Sequence, residues 1–220
     1  AAVEALEDLK DDTAVKPIIE SLGDGNAKVR FASIRALDNL ADADERAFEP
    51  MVKLLSDKNA EIRLNALESI GNLNNIKPLN TLIGMLDDSN AKIRARAAVI
   101  LGTSGDNKAI KPLRSLLNDK DEHVRQSAVF SLARLRDKIA VDPLIRLLKV
   151  PDARVRAKAA TMLGELRDTR VVDPLIRGLG DNDEDVRLNA LEALERFKNI
   201  KDQRLLYRIY LAVKKVKNRF

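Results

Sequence analysis

The stretch Asn59–Leu73, NAEIRLNALESIGNL, decides the fold. It opens on an Asx residue, sets Ile62 just before Arg63, and then places Ala66 and Ile70 at helical spacing. An Asx side chain accepts a hydrogen bond from an otherwise unpaired amide of the first helical turn, and so starts a helix. Ile62, Ala66 and Ile70 fall on one face of a helix of about 3.6 residues per turn. The small Ala66 lets a neighbouring helix approach.

The same stretch recurs through the chain. Arginines equivalent to Arg63 are Arg30, Arg94, Arg125, Arg156 and Arg187, spaced by 31 residues from Arg63 onward. Arg30 stands 33 residues before Arg63, a two-residue insertion near Ala41–Glu45. Counting each arginine as zero, position −4 is Asn26, Asn59, Asn90, Asp121, Asp152 or Asp183. Position +3 is Ser33, Ala66, Ala97, Ala128, Ala159 or Ala190, and +7 is always Leu or Ile. Gly71, Gly102 and Gly164 share +8 and mark points of close packing. We term this element helix B.

A second helix, helix A, precedes each helix B. Pro17, Pro50, Pro112, Pro143 and Pro174 stand thirteen residues before their arginines, with Thr81 in that slot and Pro78 nearby in the third repeat. Six residues before the slot comes a cap: Asp11, Asp44, Asn75, Asp106, Asp137 or Asp168. A proline inside a helix removes a backbone hydrogen bond, so helix A is expected to be kinked. A pair of such helices cannot bury its apolar faces alone, and neighbouring pairs must stack. The expected fold is all-α, an α-solenoid of about six 31-residue antiparallel pairs in one domain, 1–220. Residues 1–10 read as the remnant of a preceding helix B, 11–197 as six pairs, and 198–220 as a basic C-terminal capping helix. An opening inside a helix B leads us to expect a fragment of a longer chain.

The pattern D-x-x-V-R-x-x-A-x-x-L-G-x-L with A-V-x-P-L-I-x-L-L, seen best in Asp152–Leu166 (DARVRAKAATMLGEL) and Arg170–Leu179 (RVVDPLIRGL), resembles HEAT repeats of the phycobilin-lyase type. The resemblance covers nearly the whole chain. It implies a repeat solenoid; family members include adaptors, bilin lyase subunits, iron-dependent deoxyhypusine hydroxylases and DNA alkyl-purine glycosylases. The hydroxylases hold iron with several His-Glu pairs, whereas this chain has a single histidine, His123. The glycosylases use Trp-lined pockets, and this chain has no Trp.

Composition narrows the function classes. Hydrophobic residues are 45% and charged residues 33%, a folded composition. With no Cys there is neither a disulfide framework nor thiolate chemistry. The absence fits a cytoplasmic protein. No apolar run reaches membrane-spanning length. No catalytic set, Gly-rich phosphate loop, metal site or cofactor motif is specified. The formal charge of +5 sits at the end: Lys198–Phe220 holds eight basic residues and one acid, +7, which leaves −2 for the rest. Lys214, Lys215, Lys217 and Arg219 form a basic C-terminal patch that offers a route to nucleic acid.

The arginine ladder itself reads as repeat joining, since each guanidinium can reach the Asp-rich turns of its own or the adjacent repeat. Functional residues are therefore sought among the variable positions −2, +2, +5 and +9, expected on the concave face. There the central repeats place Arg96, Val99, Phe130, Arg134, Arg154 and Lys158. An aromatic rimmed by basic groups is the profile of a protein-binding hot spot, with an acidic partner segment as its match. The competing reading puts Phe130 in the seam between repeats as core. The expected function is a non-catalytic protein-interaction scaffold; the alternatives are an accessory subunit of a lyase-like or other enzyme complex, and nucleic-acid binding through the basic C-terminal helix. Oligomeric state stays open.

Overall fold

The structure, a computed structural model, describes residues 12–39, 45–72 and 78–217. The expected helix-B remnant, the insertion at 41–44 and the caps Asp11, Asp44 and Asn75 lie outside the described residues. Every described regular element is helical. Helix-A elements are α1 (Asp12–Ser21), α3 (Glu45–Leu54), α5 (Leu79–Gly84), α7 (Ile110–Ser115), α9 (Val141–Leu147) and α11 (Val172–Gly178). Helix-B elements alternate with them: α2 (Ala27–Asn39), α4 (Ala60–Asn72), α6 (Ala91–Thr103), α8 (Glu122–Arg134), α10 (Ala153–Leu166) and α12 (Glu184–Glu195). A last helix, α13, spans Gln203–Lys217.

The chain divides into two compact units, with the boundary inside α8 after Arg125. One unit takes in the chain through Ser104 together with Asn118–Arg125; the other comprises Gly105–Leu117 and the residues from Gln126 on. In the first unit α2 packs on α4 and α4 on α6, and each helix A packs on its own helix B. In the second, α10 and α12 lie along one another, α9 and α11 flank them, and α13 packs against α11.

The recurrent residues do what their spacing predicts. All six Asx residues at −4 cap helix B: the side chains of Asn26, Asn59, Asn90, Asp121, Asp152 and Asp183 each accept an amide of the first turn, at 2.8–3.2 Å. The +3 residues from Ser33 to Ala190 are fully buried, as are Ile70, Leu101, Leu132, Leu163 and Leu194 at +7.

Helix A departs from expectation in the later repeats. Pro17 and Pro50 do sit inside continuous helices. Pro112, Pro143 and Pro174 instead fall in the first turn of short α segments, each preceded by a 3₁₀ turn capped by Asp106, Asp137 or Asp168. In that position a proline forfeits no intrahelical bond, because first-turn amides have no partner within the helix. Each of these prolines is the third residue of its α segment, just behind the junction with the 3₁₀ turn.

Candidate functional site

Two classes of position must be separated before a site can be named: those that join repeats and those left over. The arginine at position zero joins. Its Nη1 donates to two carbonyls of its own A–B turn, as Arg63 does to Asp57 at 2.8 Å and Arg94 to Asp88 at 2.8 Å. Its Nε and Nη2 reach an aspartate in the following turn, Arg63 to Asp88 and Arg94 to Asp119 in the first unit, Arg156 to Asp181 in the second. Arg30 meets Asp57 through Nη2 alone as a hydrogen bond, at 2.9 Å, with Nε close to the second carboxylate oxygen as an ion pair but not aligned to donate. Each of these aspartates also accepts an amide of its own turn, from Asn59, Asn90, Asp121 and Asp183. The carboxylates are held below the usual range. For Asp119 and Asp181 the arginine's hydrogen bond is the leading cause and outweighs burial. For Asp57 and Asp88 burial pushes up most strongly, and the hydrogen bonds and nearby charges together reverse it.

These aspartates, six residues before each arginine, are missing from a reading of helix signals alone, although they recur with the same interval. Val150 replaces the aspartate in the slot that follows Arg125. Arg125 accordingly gives its Nη1 to the carbonyls of Asp119 and Lys120 and forms no ion pair among the described residues.

Close approach of consecutive helices B is a second joining device. Position +8 of one helix meets +6 of the next. A Cβ built on Gly71 would lie 2.6 Å from Ile100 Cδ1, and one built on Gly164 would lie 2.7 Å from both Cα and Cβ of Ala193. Asp38 fills the same slot in the first repeat and accepts the Ser69 hydroxyl at 2.9 Å.

Within each unit the variable positions of successive helices B adjoin as a strip. Position +5 of one helix B meets +2 of the next, three times over. Glu68 Oε1 is 3.9 Å from Arg96 Nε in the first unit. In the second, Lys158 Nζ lies 4.2 Å above the centroid of the Phe130 ring, and Thr161 Oγ1 is 2.7 Å from Asn189 Oδ1. Burial and then the charge of Arg134 lower the Lys158 pKa, so Phe130, Arg134 and Lys158 share one environment.

The other candidates are placed separately. Phe130 is only 7% exposed; the expectation of an open aromatic anchor does not hold, and the ring is packed beneath its lysine. Val99 and Arg96 are half-buried on α6 of the first unit. The Arg154 side chain is 93% exposed and turns to its own cap, Asp152, at 3.2 Å. His123 is exposed, and no cluster able to hold a metal ion occurs among the described residues. In the C-terminal patch Lys214 is exposed, 5.7 Å from the Tyr210 ring centroid. The side chains of Lys215 and Lys217, and the whole of Arg219, lie outside the described residues. No described helix is long and apolar enough to cross a membrane.

Comparison with known proteins places this arrangement. The family model described as HEAT repeats matches residues 1–71, 40–98, 79–157 and 141–214. No curated protein sequence matches the chain. Among solved structures, a computationally designed armadillo repeat protein for modular peptide recognition is 22% identical, with TM-score 0.61, covering 83% of this chain and 99% of its own. The complex of CpcE and CpcF of phycocyanin lyase from Nostoc sp. PCC7120 is 20% identical, with TM-score 0.54, over 94% of this chain and 84% of that one. The Escherichia coli protein YibA is 21% identical, with TM-score 0.60, over 97% and 96%. At these identities the likeness is one of fold, an all-helical repeat solenoid. The family match runs over nearly the whole chain, so the protein belongs to the HEAT-repeat family.

Proposed function

We propose that the chain is a non-catalytic protein-interaction scaffold, and that a partner segment lies along the strip that positions +2, +5 and +9 of successive helices B form within a unit. The observation that carries this reading is the contact of +5 with the next +2. It makes the residues not consumed in building the repeats into neighbours of one another, as Glu68 is of Arg96 and Lys158 of Phe130. A strip whose chemistry changes from pair to pair is what specific recognition of an extended segment requires. In the second unit it offers the cation of Lys158 above the packed Phe130 ring, with Arg134 near enough to act on that lysine's charge. Arg96 and Val99 are the corresponding residues of the first unit, and Arg154 stands at −2 beside the strip. The designed armadillo proteins of similar fold, made for peptide recognition, support a peptide as the class of partner.

Panning a random peptide display library on the full chain tests this. Enriched peptides are expected to bind the Arg134→Ser/Lys158→Ser variant about tenfold more weakly, the loss of roughly one charge-assisted contact. Failure to enrich any sequence, or equal binding to the variant with an unchanged melting temperature, overturns the proposal.

A further inference from the structure

Four arginines in the second unit have a different fate from those of the ladder. Arg134, Arg136, Arg167 and Arg196, with Ala133 and Glu165, line one cleft of about 620 Å³. All four arginines are exposed, and none forms an ion pair or side-chain hydrogen bond among the described residues. Ladder arginines of the same unit are satisfied: Arg156 binds Asp181 in bidentate fashion and two carbonyls besides.

The backbone adds an independent observation. Arg136 and Arg167 have φ of 58° and 50°, the left-handed region. Both close the end of a helix B. Arg136 donates its amide to the Ala133 carbonyl, and Asp137 donates to Leu132, each at 2.9 Å, the paired bonds of a Schellman turn. Glycine is the ordinary occupant of such a slot, and Gly105, at φ 72°, fills the equivalent place one repeat earlier. Two successive repeats thus set an arginine where glycine is the unstrained choice. Cations do favour helix C-termini. That preference accounts for one basic group at each helix end, but not for four converging on a single cleft where they repel one another.

We infer that this cleft binds an acidic peptide segment bearing neighbouring carboxylates. Planar guanidinium groups match carboxylates two bonds at a time, and the net charge of the lining, four arginines against Glu165, is +3. Nucleic acid is a poorer match: the only apolar lining residue is Ala133, so no aromatic platform for bases is present, and Glu165 would oppose a phosphate track. The cleft extends the scaffold reading without depending on it: Arg134, Glu165 and Arg196 stand at +9 and are shared with the strip, whereas Arg136 and Arg167 lie off it and are the residues that the test changes.

The test uses the full chain and fluorescein-labelled hexaglutamate at low ionic strength, read by anisotropy. Arg136→Gly/Arg167→Gly is the informative variant. It removes two charges while installing the residue that the backbone favours, so its melting temperature is expected to be no lower than that of the parent. Its affinity for hexaglutamate is expected to fall about tenfold or more. Arg146→Ser/Arg177→Ser removes the same charge from exposed positions outside the cleft and is expected to change affinity by no more than about twofold. No binding of hexaglutamate overturns the proposal, as does an equal loss in the two variants. Tighter binding of a single-stranded oligothymidine, lost in the cleft variant, also overturns it and assigns the cleft to nucleic acid. Loss of peptides selected on the strip by Lys158→Ser, with hexaglutamate binding intact, separates the two surfaces.

Discussion

Arg94 and Asp119 meet through two parallel bonds, Nε to Oδ2 at 2.8 Å and Nη2 to Oδ1 at 2.9 Å, with both side chains less than a tenth exposed. The guanidinium also holds the carbonyls of Asp88 and Ser89. One side chain therefore ties together the A–B turns of two consecutive repeats, the turn before α6 and the turn before α8. Removing it leaves a carboxylate and two carbonyls without their donor. Arg94→Ala is expected to cost on the order of 3 kcal/mol. Arg94→Met/Asp119→Leu removes the charge on both sides and is expected to cost clearly less than the sum of the single variants. Chemical denaturation of the four proteins of this cycle decides; additive losses would remove the ladder's joining role.

Acid should dissolve the ladder. The carboxyls of Asp57, Asp88, Asp119 and Asp181 are held below their ordinary values in the folded protein. A depressed folded pKa gives stability that is present above the unfolded carboxylate value, near about 3.9, and lost as pH falls through the folded values. Asp38 runs the other way, raised chiefly by burial and further by Glu68. Melting temperature is expected to be flat from neutral pH to about pH 5 and to fall steeply below about pH 4. Asp88→Asn/Asp119→Asn should be less stable at neutral pH and show a shallower acid limb. An unchanged acid limb would contradict the assignment.

Two glycines at the same repeat position should respond differently to alanine. At Gly164 the new methyl meets backbone and Cβ of Ala193 at 2.7 Å, and neither can turn aside. At Gly71 it meets the terminal methyl of Ile100, which can change rotamer. Alanine gains about 1 kcal/mol of helix propensity at either site, whereas overpacking costs about 1–3 kcal/mol. Gly164→Ala should therefore destabilise by up to about 2 kcal/mol, and Gly71→Ala should stay within about 1 kcal/mol of the parent. Thermal melts of both variants are sufficient; a reversal of this order would show that the α10–α12 approach is not limiting.

Repetition is what made the fold legible. The cap Asn59, the buried Ala66 and Ile70, and the joining Arg63 recur with one interval, and each has one physical role. What recurrence did not convey was three-dimensional detail. Pro143 declares a missing amide, but nothing local says that the turn before it is 3₁₀. Phe130 sits at a position suited to solvent, yet it is buried, and Lys158, 28 residues later in the sequence, lies across the ring. Arg136 and Arg167 read as two more surface cations; only their positive φ sets them apart.

Lys158 should report on that ring and on Arg134. Burial and the neighbouring cation lower its pKa. Arg134→Gln removes the lesser cause and should raise the Lys158 pKa part of the way towards the ordinary lysine value, leaving the effect of burial. Phe130→Ala opens a cavity in packed surroundings and should cost about 3 kcal/mol, whereas Lys158→Ala, losing a cation–aromatic contact at a solvent-accessible, partly desolvated site, should cost about 1 kcal/mol. Carbon-detected NMR titration of the lysines, with denaturation of both variants, measures all three. A Lys158 pKa insensitive to Arg134 would break the link between them.

The left-handed arginines give the final prediction, which concerns stability alone. A non-glycine residue at φ of 58° or 50° costs about 1–2 kcal/mol. Glycine recovers that cost but loses about 0.5–1 kcal/mol through the greater freedom of the unfolded chain. Arg136→Gly and Arg167→Gly should therefore each leave stability unchanged or raise it by up to about 1.5 kcal/mol, and Gly105→Ala, made in the opposite direction at φ 72°, should lower it by a similar amount. If the two glycine variants are instead markedly destabilised, Arg136 and Arg167 serve the packing of the second unit, and their convergence on the cleft needs no ligand to explain it. If they are neutral or stabilised, the arginines occupy these slots at a cost to folding, and the reason for them lies in what their guanidinium groups can hold.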